Sequence, residues 1–324
     1  MFDKNVLQLD AAGEVNRIVG ILRDQVLGIL RRRGAVVGIS GGIDSSVVAA
    51  LCVRAFGQEK VLGLFMPEHH SSDDALTLGK MLTAHFGINA LTENIAPALE
   101  GLGCYQRQLE AIRLIVPEFG DSWKFKLVLP SILESDRLNI TRLTVQDPAG
   151  NVSNVSLSLN AYLQIVAATN YKQRVRKMTE YYHADRLNYA VAGTPNRLEY
   201  DQGFFVKQGD GSADFKPIAH LYKTQVYQLA EYLGVPEEIR QRPPTTDTFS
   251  MPQTQEEFYF ALPYDRMDLC LYALNHGIPA GEVAPAVSLL PVQVERIFKD
   301  IEAKRRATRY LHMQPQLIEP VMEI

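Results

Sequence analysis

Only three cysteines occur in 324 residues, Cys52, Cys104 and Cys270, and no two form a Cys-x-x-Cys pair. Neither a disulfide framework nor a zinc site is therefore indicated. Cys52 falls on the apolar face of an expected helix and reads as core. Positive charge is not in excess: 33 lysines and arginines stand against 37 aspartates and glutamates, a net charge of -4. A chain so balanced has no general attraction for nucleic acid or for an anionic membrane. No apolar run reaches the roughly 18 residues of a membrane-spanning helix, and the N-terminus lacks a signal-peptide pattern, so a cytoplasmic location is expected. Repeats, low-complexity tracts and Pro- or Ser-rich linkers are missing too. One domain over residues 1–324 follows.

What is present is an ordinary globular composition, 46% hydrophobic and 22% charged, with enough length to bury a sizeable core. The most informative stretch is 35–48. Residues 35–39 are an apolar run that reads as a buried strand, and from Asp44 onward Val47, Val48, Leu51 and Cys52 recur at helical spacing. Between them, Ser40, Gly41 and Gly42 make a tight turn whose missing Cβ atoms let backbone N–H groups approach an anion at the helix N-terminus. Asp44, in the first helical turn, is placed to ligate magnesium beside a phosphate. The spacing is neither Gly-x4-Gly-Lys-Ser/Thr nor Gly-x-Gly-x-x-Gly. Ser-Gly-Gly-x-Asp-Ser instead resembles the pyrophosphate loop of the ATP pyrophosphatases, which adenylate a substrate oxygen and let a nucleophile displace AMP. By itself the loop leaves the acceptor open.

The surrounding pattern predicts a first helix over 10–33, with Asp10 as its cap, a stripe of Val15, Ile18, Val19, Leu22, Val26, Ile29 and Leu30, and Gly34 as its stop. A strand at 61–66, a helix from Ser71 and Ser72 through Phe86, and a strand at 88–91 continue the alternation. That rhythm predicts an α/β fold, a doubly wound parallel sheet with flanking helices, whose ligands bind beyond the carboxyl ends of the strands. His69 and His70 fall near that crevice and read as a polar loop. Residues 124–129 and 142–146 read as β segments of a hairpin insertion over 103–160, with a turn at 147–151. A helix over 161–178 presents Lys172, Arg174, Arg176 and Lys177, a charge run that reads as a solvated face. Another strand, 187–192, leads to Thr194 and Glu199, which by the same topological rule face the crevice, where Glu199 can share a metal with Asp44. A glycine-rich loop with Lys207 follows at 203–211, then Asp214, and Lys223 opens a helix over 224–233. Residues 243–247 form a diproline turn with two threonines, and the part from 250 to 324 is helical, over 264–275, 281–289 and 292–309.

Taken together, these stretches resemble the NAD synthetase family in its ammonia-dependent, single-domain form. The resemblance covers residues 15–100 and 160 to about 310. It implies an adenine nucleotide α-hydrolase-like fold and a carbon–nitrogen ligase of NAD biosynthesis. ATP would be bound by Gly38, Ile39, Ser40, Gly41, Gly42, Ile43, Asp44, Ser45, Ser46, Thr194, Lys223 and Thr245. Mg2+ would be held by Asp44 and Glu199. Deamido-NAD would meet Arg174, Lys207, Asp214 and Lys304, with Asp44 and Lys223 catalytic and ammonia as the nucleophile.

The resemblance also implies a homodimer. Two departures stand out: Glu302-Ala303-Lys304-Arg305 has alanine where the family carries histidine, and the segment before the arginine helix is long. With the first strand read near residue 35, no glutamine-hydrolysing domain is expected before it, and ammonia is expected from solution or from a separate protein. The nearest alternative is a same-loop enzyme amidating another carboxylate; a further one is a nucleotide-binding subunit without turnover.

Overall fold

A computed structural model describes residues 2–129, 141–245 and 248–322. Residues 130–140 of the expected insertion, and Thr246 and Asp247 of the diproline turn, lie outside these. The strands are β1 (Ala35–Gly38), β2 (Val61–Phe65), β3 (Asn89–Thr92), β4 (Lys124–Val128), β5 (Arg142–Gln146), β6 (Val152–Ser156) and β7 (Ala190–Val191). The helices are α1 (Ala11–Arg23), α2 (Ile43–Phe56), α3 (Asp73–Phe86), α4 (Ala96–Gly101), α5 (Cys104–Arg113), α6 (Leu159–Leu187), α7 (Arg197–Gln202), α8 (Lys223–Leu233), α9 (Glu237–Gln241), α10 (Tyr264–Asn275), α11 (Ala280–Val287) and α12 (Pro291–His312). None is long and apolar enough to cross a membrane among the described residues.

The strand order β3-β2-β1-β7 is parallel throughout, with Val36 opposite both Leu62 and Val191. Because successive side chains point to opposite faces, Ala35, Val37 and Ile39 join the core built with α1, α2 and α8, while Val36, Leu62 and Leu64 pack with Ala184 of α6. The doubly wound sheet read from the alternation is the fold observed. The insertion is larger than a hairpin: β4-β5-β6 is a three-stranded antiparallel sheet. Phe125, Leu127, Leu143 and Val145 pack there with α5, Ile165 of α6 and Phe249. Helices α10, α11 and α12 share a second core with Leu7 and Leu198.

Two boundaries differ from expectation for physical reasons. The first helix ends early. After α1 a π-helical turn runs over Asp24–Ile29, closed by a bond from Leu30 N–H to Gln25 C=O. The wider turn rotates the stripe, so Ile29 and Leu30 lie exposed at 77% and 37% rather than in the core. The arginine helix is longer than read, starting at Leu159 under the Ser158 cap and ending only where Asn188 adopts a left-handed φ of 56°. Its extension shortens the strand expected at 187–192 to Ala190–Val191, with one further bridge from Ala192 to Phe215.

Candidate active site

The phosphate loop runs from the end of β1 into α2. Gly41 has φ 74°, and a Cβ there would stand 2.4 Å from the Ala75 carbonyl oxygen of α3, so no other residue fits. Gly42 caps α2 without any side-chain bond, which leaves the amides of the first turn for an anion. The serines brace the turn: Ser40 Oγ and Ser45 Oγ lie 3.1 Å apart, and the hydroxyls of Ser45 and Ser46 donate to the Gly42 carbonyl at 3.0 and 2.8 Å. Ser46 is fully buried, and it and Gly41 support the turn rather than line the cavity above it.

That cavity, of about 160 Å³, is lined by Ser40, Gly42, Ile43, Asp44 and Ser45, and by Thr194, Glu199, Lys223 and Thr245 from the other side. Asp44 accepts from the Lys223 ammonium and, at 2.9 Å, from Asn196 Nδ2. Glu199 closes a capping box with Asn196 at the start of α7, accepting from its backbone N–H at 3.1 Å, and takes a second bond from Gln255 Nε2 at 3.0 Å. Burial, and then the Asp44 charge, push the Glu199 carboxyl well above the usual range, to about 8. Burial works against the Lys223 charge, but Asp44 and Glu199 outweigh it and hold the lysine above its ordinary pKa. Among the described residues no group of three or more His, Cys, Asp or Glu could hold an ion by itself. Two carboxylates beside a phosphate site are instead a hard oxygen set of the kind that suits Mg2+ bound partly by substrate.

Ser40, Thr194, Glu199, Thr245 and Gln255 also border a larger cleft of about 870 Å³, so the two spaces are continuous. Gly38 and Ile39 lie at its floor, and Arg174, Lys207, Ala303 and Lys304 on its walls. Arg174 Nε donates to the Lys207 carbonyl at 3.3 Å. Lys207 Nζ donates to the Tyr310 and Met313 carbonyls at 2.8 and 3.2 Å, capping the end of α12. Lys304 donates to the Tyr259 carbonyl at 2.8 Å and pairs with Asp300 at 2.7 Å. Asp214 stands apart from this lining, accepting from Val191 N–H at 2.7 Å and from the Tyr181 hydroxyl at 3.2 Å.

The basic run of α6 is a solvated face only in part: Arg174 is exposed and Arg176 half-buried, but Lys172 is fully buried and Lys177 is 6% exposed, because α6 is sandwiched between the sheet and the insertion. Lys172 donates to Glu68 at 3.1 Å, to His70 Nδ1 at 2.8 Å and to the Thr248 carbonyl at 2.8 Å. Lys177 pairs with Glu180 at 2.6 Å. His70 is thus part of a packed network, with Tyr105 donating to Glu68 at 2.9 Å.

Asn196, Gln255, Arg242 and Asp268 are site residues that sequence reasoning missed. Asn196 carried a signal, since Asn-x-x-Glu is a capping box. Asp268 carried none: it accepts from the backbone N–H groups of Lys223 and Thr224 at 3.2 and 2.7 Å from 45 and 44 residues away.

The family model that describes NAD synthase matches residues 14–114 and 132–309. An NH3-dependent NAD+ synthetase of Mesorhizobium japonicum is 72% identical over 312 residues, covering 96% of this chain and 98% of that one. A protein of the same name from Rhizobium meliloti is 59% identical over 324 residues, 100% of this chain and 97% of that one. In the fold alone, the chain is similar to the solved NH3-dependent NAD synthetase of Campylobacter jejuni, with TM-score 0.62, 21% identity and coverage of 96% and 100%. It is similar in the same sense to the NMN synthetase of Francisella tularensis, with TM-score 0.66, 21% identity and coverage of 96% and 99%. With the family match spanning most of its length and relatives this near, the chain belongs to the NAD synthase family.

Proposed function

We propose that this protein makes NAD from deamido-NAD, ATP and ammonia, releasing AMP and pyrophosphate. One observation carries the reading: the phosphate-loop cavity with Asp44, Glu199 and Lys223 opens into a cleft walled by Arg174, Lys207 and Lys304. A triphosphate in the cavity would present its α-phosphorus toward the cleft, where a dinucleotide has room and cations for its phosphates and carboxylate. The nicotinate carboxylate, ionised at neutral pH, needs no base to attack that phosphorus. Loop amides and Lys223 offset the charge that develops as pyrophosphate departs. Ammonia then displaces AMP from the acyl adenylate. Asp44 and Glu199 would hold Mg2+, which when bound neutralises phosphate charge.

A homodimer fits the outer side of α6, where Leu159, Leu163, Met178 and Tyr182 are 55–73% exposed. Sedimentation of the wild type and of a Leu163→Asp variant tests it, a monomeric wild type being the outcome against it. For the reaction, purified protein is incubated with ATP, magnesium and ammonium, with or without deamido-NAD, and products are read by mass spectrometry. NAD, AMP and pyrophosphate should form together, only with deamido-NAD, and not with Asp44→Ala. Intact ATP binding without NAD at high ammonium would refute the reading and leave another carboxylate as acceptor.

A further inference from the structure

Arg242 lines the phosphate-loop cavity alongside Ser40, Ser45, Lys223 and Thr245, and no motif of the sequence accounts for it. It follows α9 and precedes Pro243 and Pro244, whose fixed φ angles make a stiff arm. Its Nη2 donates to Ser72 Oγ at 3.4 Å, the N-cap of α3. Helix α3 is the element that presses on Gly41, so the guanidinium sits where the diproline arm, the start of α3 and the phosphate loop meet. Lys223, 2% exposed, occupies the inner side against Asp44, whereas Arg242 is only half-buried and so stands toward the mouth.

We propose that Arg242 is a catalytic residue that grips the outer phosphates of ATP and offsets the charge collecting on pyrophosphate as it leaves. The inference rests on the cavity being the triphosphate site. In the step concerned, a carboxylate oxygen forms a bond to the α-phosphorus, the bond from that phosphorus to the bridging oxygen breaks, and the electron pair stays on pyrophosphate. No proton moves. A planar guanidinium fork can meet two phosphate oxygens at once, which an ammonium cannot.

The test compares R242M and R242K with wild type, and uses Lys223→Met as the reference loss. Steady-state kinetics with ATP and deamido-NAD, product inhibition by pyrophosphate, and rescue by guanidinium ion in solution are measured. For R242M, kcat/KM for ATP should fall about 10²-fold and pyrophosphate inhibition should weaken roughly tenfold. KM for deamido-NAD should hold, and guanidinium should restore part of kcat. R242K should recover only part of the loss. If R242M keeps its ATP kinetics while Lys223→Met loses them, the role of Arg242 is refuted and the cavity reading stands. If neither variant loses them, both are refuted. Should R242M fail to fold, R242K decides: unchanged kcat and pyrophosphate inhibition in that variant overturn the proposal.

Discussion

The Lys223 ammonium donates to the Asp44 carboxylate across 179 residues of sequence, tying the first turn of α8 to the first turn of α2. Each group is largely withdrawn from water, with side chains 2% and 15% exposed, so each is the other's main compensation for lost hydration. Lys223→Met should therefore cost up to about 3 kcal/mol of stability, less than for a fully dry pair, as well as roughly 10²-fold in kcat. Removing both charges in Asp44→Asn with Lys223→Met should restore most of the stability and none of the activity. Urea denaturation beside turnover assays separates the two; additive losses of stability would refute the coupling.

Gly41 and Gly281 make a matched pair. At Gly41 alanine meets both a left-handed φ and the Ala75 carbonyl, whereas a Cβ at Gly281, within α11, meets nothing within 4 Å. Gly41→Ala should cost about 2 kcal/mol or more and displace the phosphate loop, raising KM for ATP. Gly281→Ala should leave activity alone and stabilise by about 0.5–1 kcal/mol. Thermal melts decide, and equal shifts in the two variants would contradict the account.

Lys304 belongs to the cleft rather than to the phosphate cavity. Burial holds its pKa below the ordinary lysine value, against the pull of Asp300. Lys304→Met should raise KM for deamido-NAD about tenfold or more, the worth of a charge-assisted hydrogen bond, with KM for ATP nearly constant. A parallel rise in both constants would place the lysine elsewhere in the reaction.

His70 sets a pH dependence. Burial first, and then the neighbouring Lys172 ammonium, lower its pKa from an ordinary 6.5 to about 4. The folded chain keeps the imidazole neutral, as its acceptance of a bond from Lys172 requires, while the unfolded chain protonates it near 6.5. Between those values the unfolded state binds more protons, so this contribution to stability is complete above about pH 6.5 and is lost as the pH falls toward 4. Melts at pH 7, 6 and 5 should show it, and His70→Asn should flatten the slope. An unchanged slope in the variant would assign the acid sensitivity to other groups.

The phosphate loop and the parallel sheet were legible because their signals are local. A glycine turn between a β-branched run and an apolar helix stripe leaves few alternatives, and the central strands β1 and β2 each carry their own apolar run. Lys172 and Lys177 were misread because a charge's burial depends on partners such as Glu68, 104 residues away in sequence. Asp268 failed for the same reason, and Ile29 because no composition signal announces a π turn. Asp214 had a motif, and its carboxylate, which is not among the groups lining the cleft, accepts a backbone bond from β7.

Helix α6 runs 29 residues without a break, a rod of about 43 Å that carries the insertion's core at Ile165, the locking Lys172 and the sheet-facing Ala184. Such a rod acts as a spline: one residue added or deleted midway would turn everything beyond it by about 100° and advance it by about 1.5 Å. The cleft can thus accept changes of residue along this wall far more readily than any change in the helix's length.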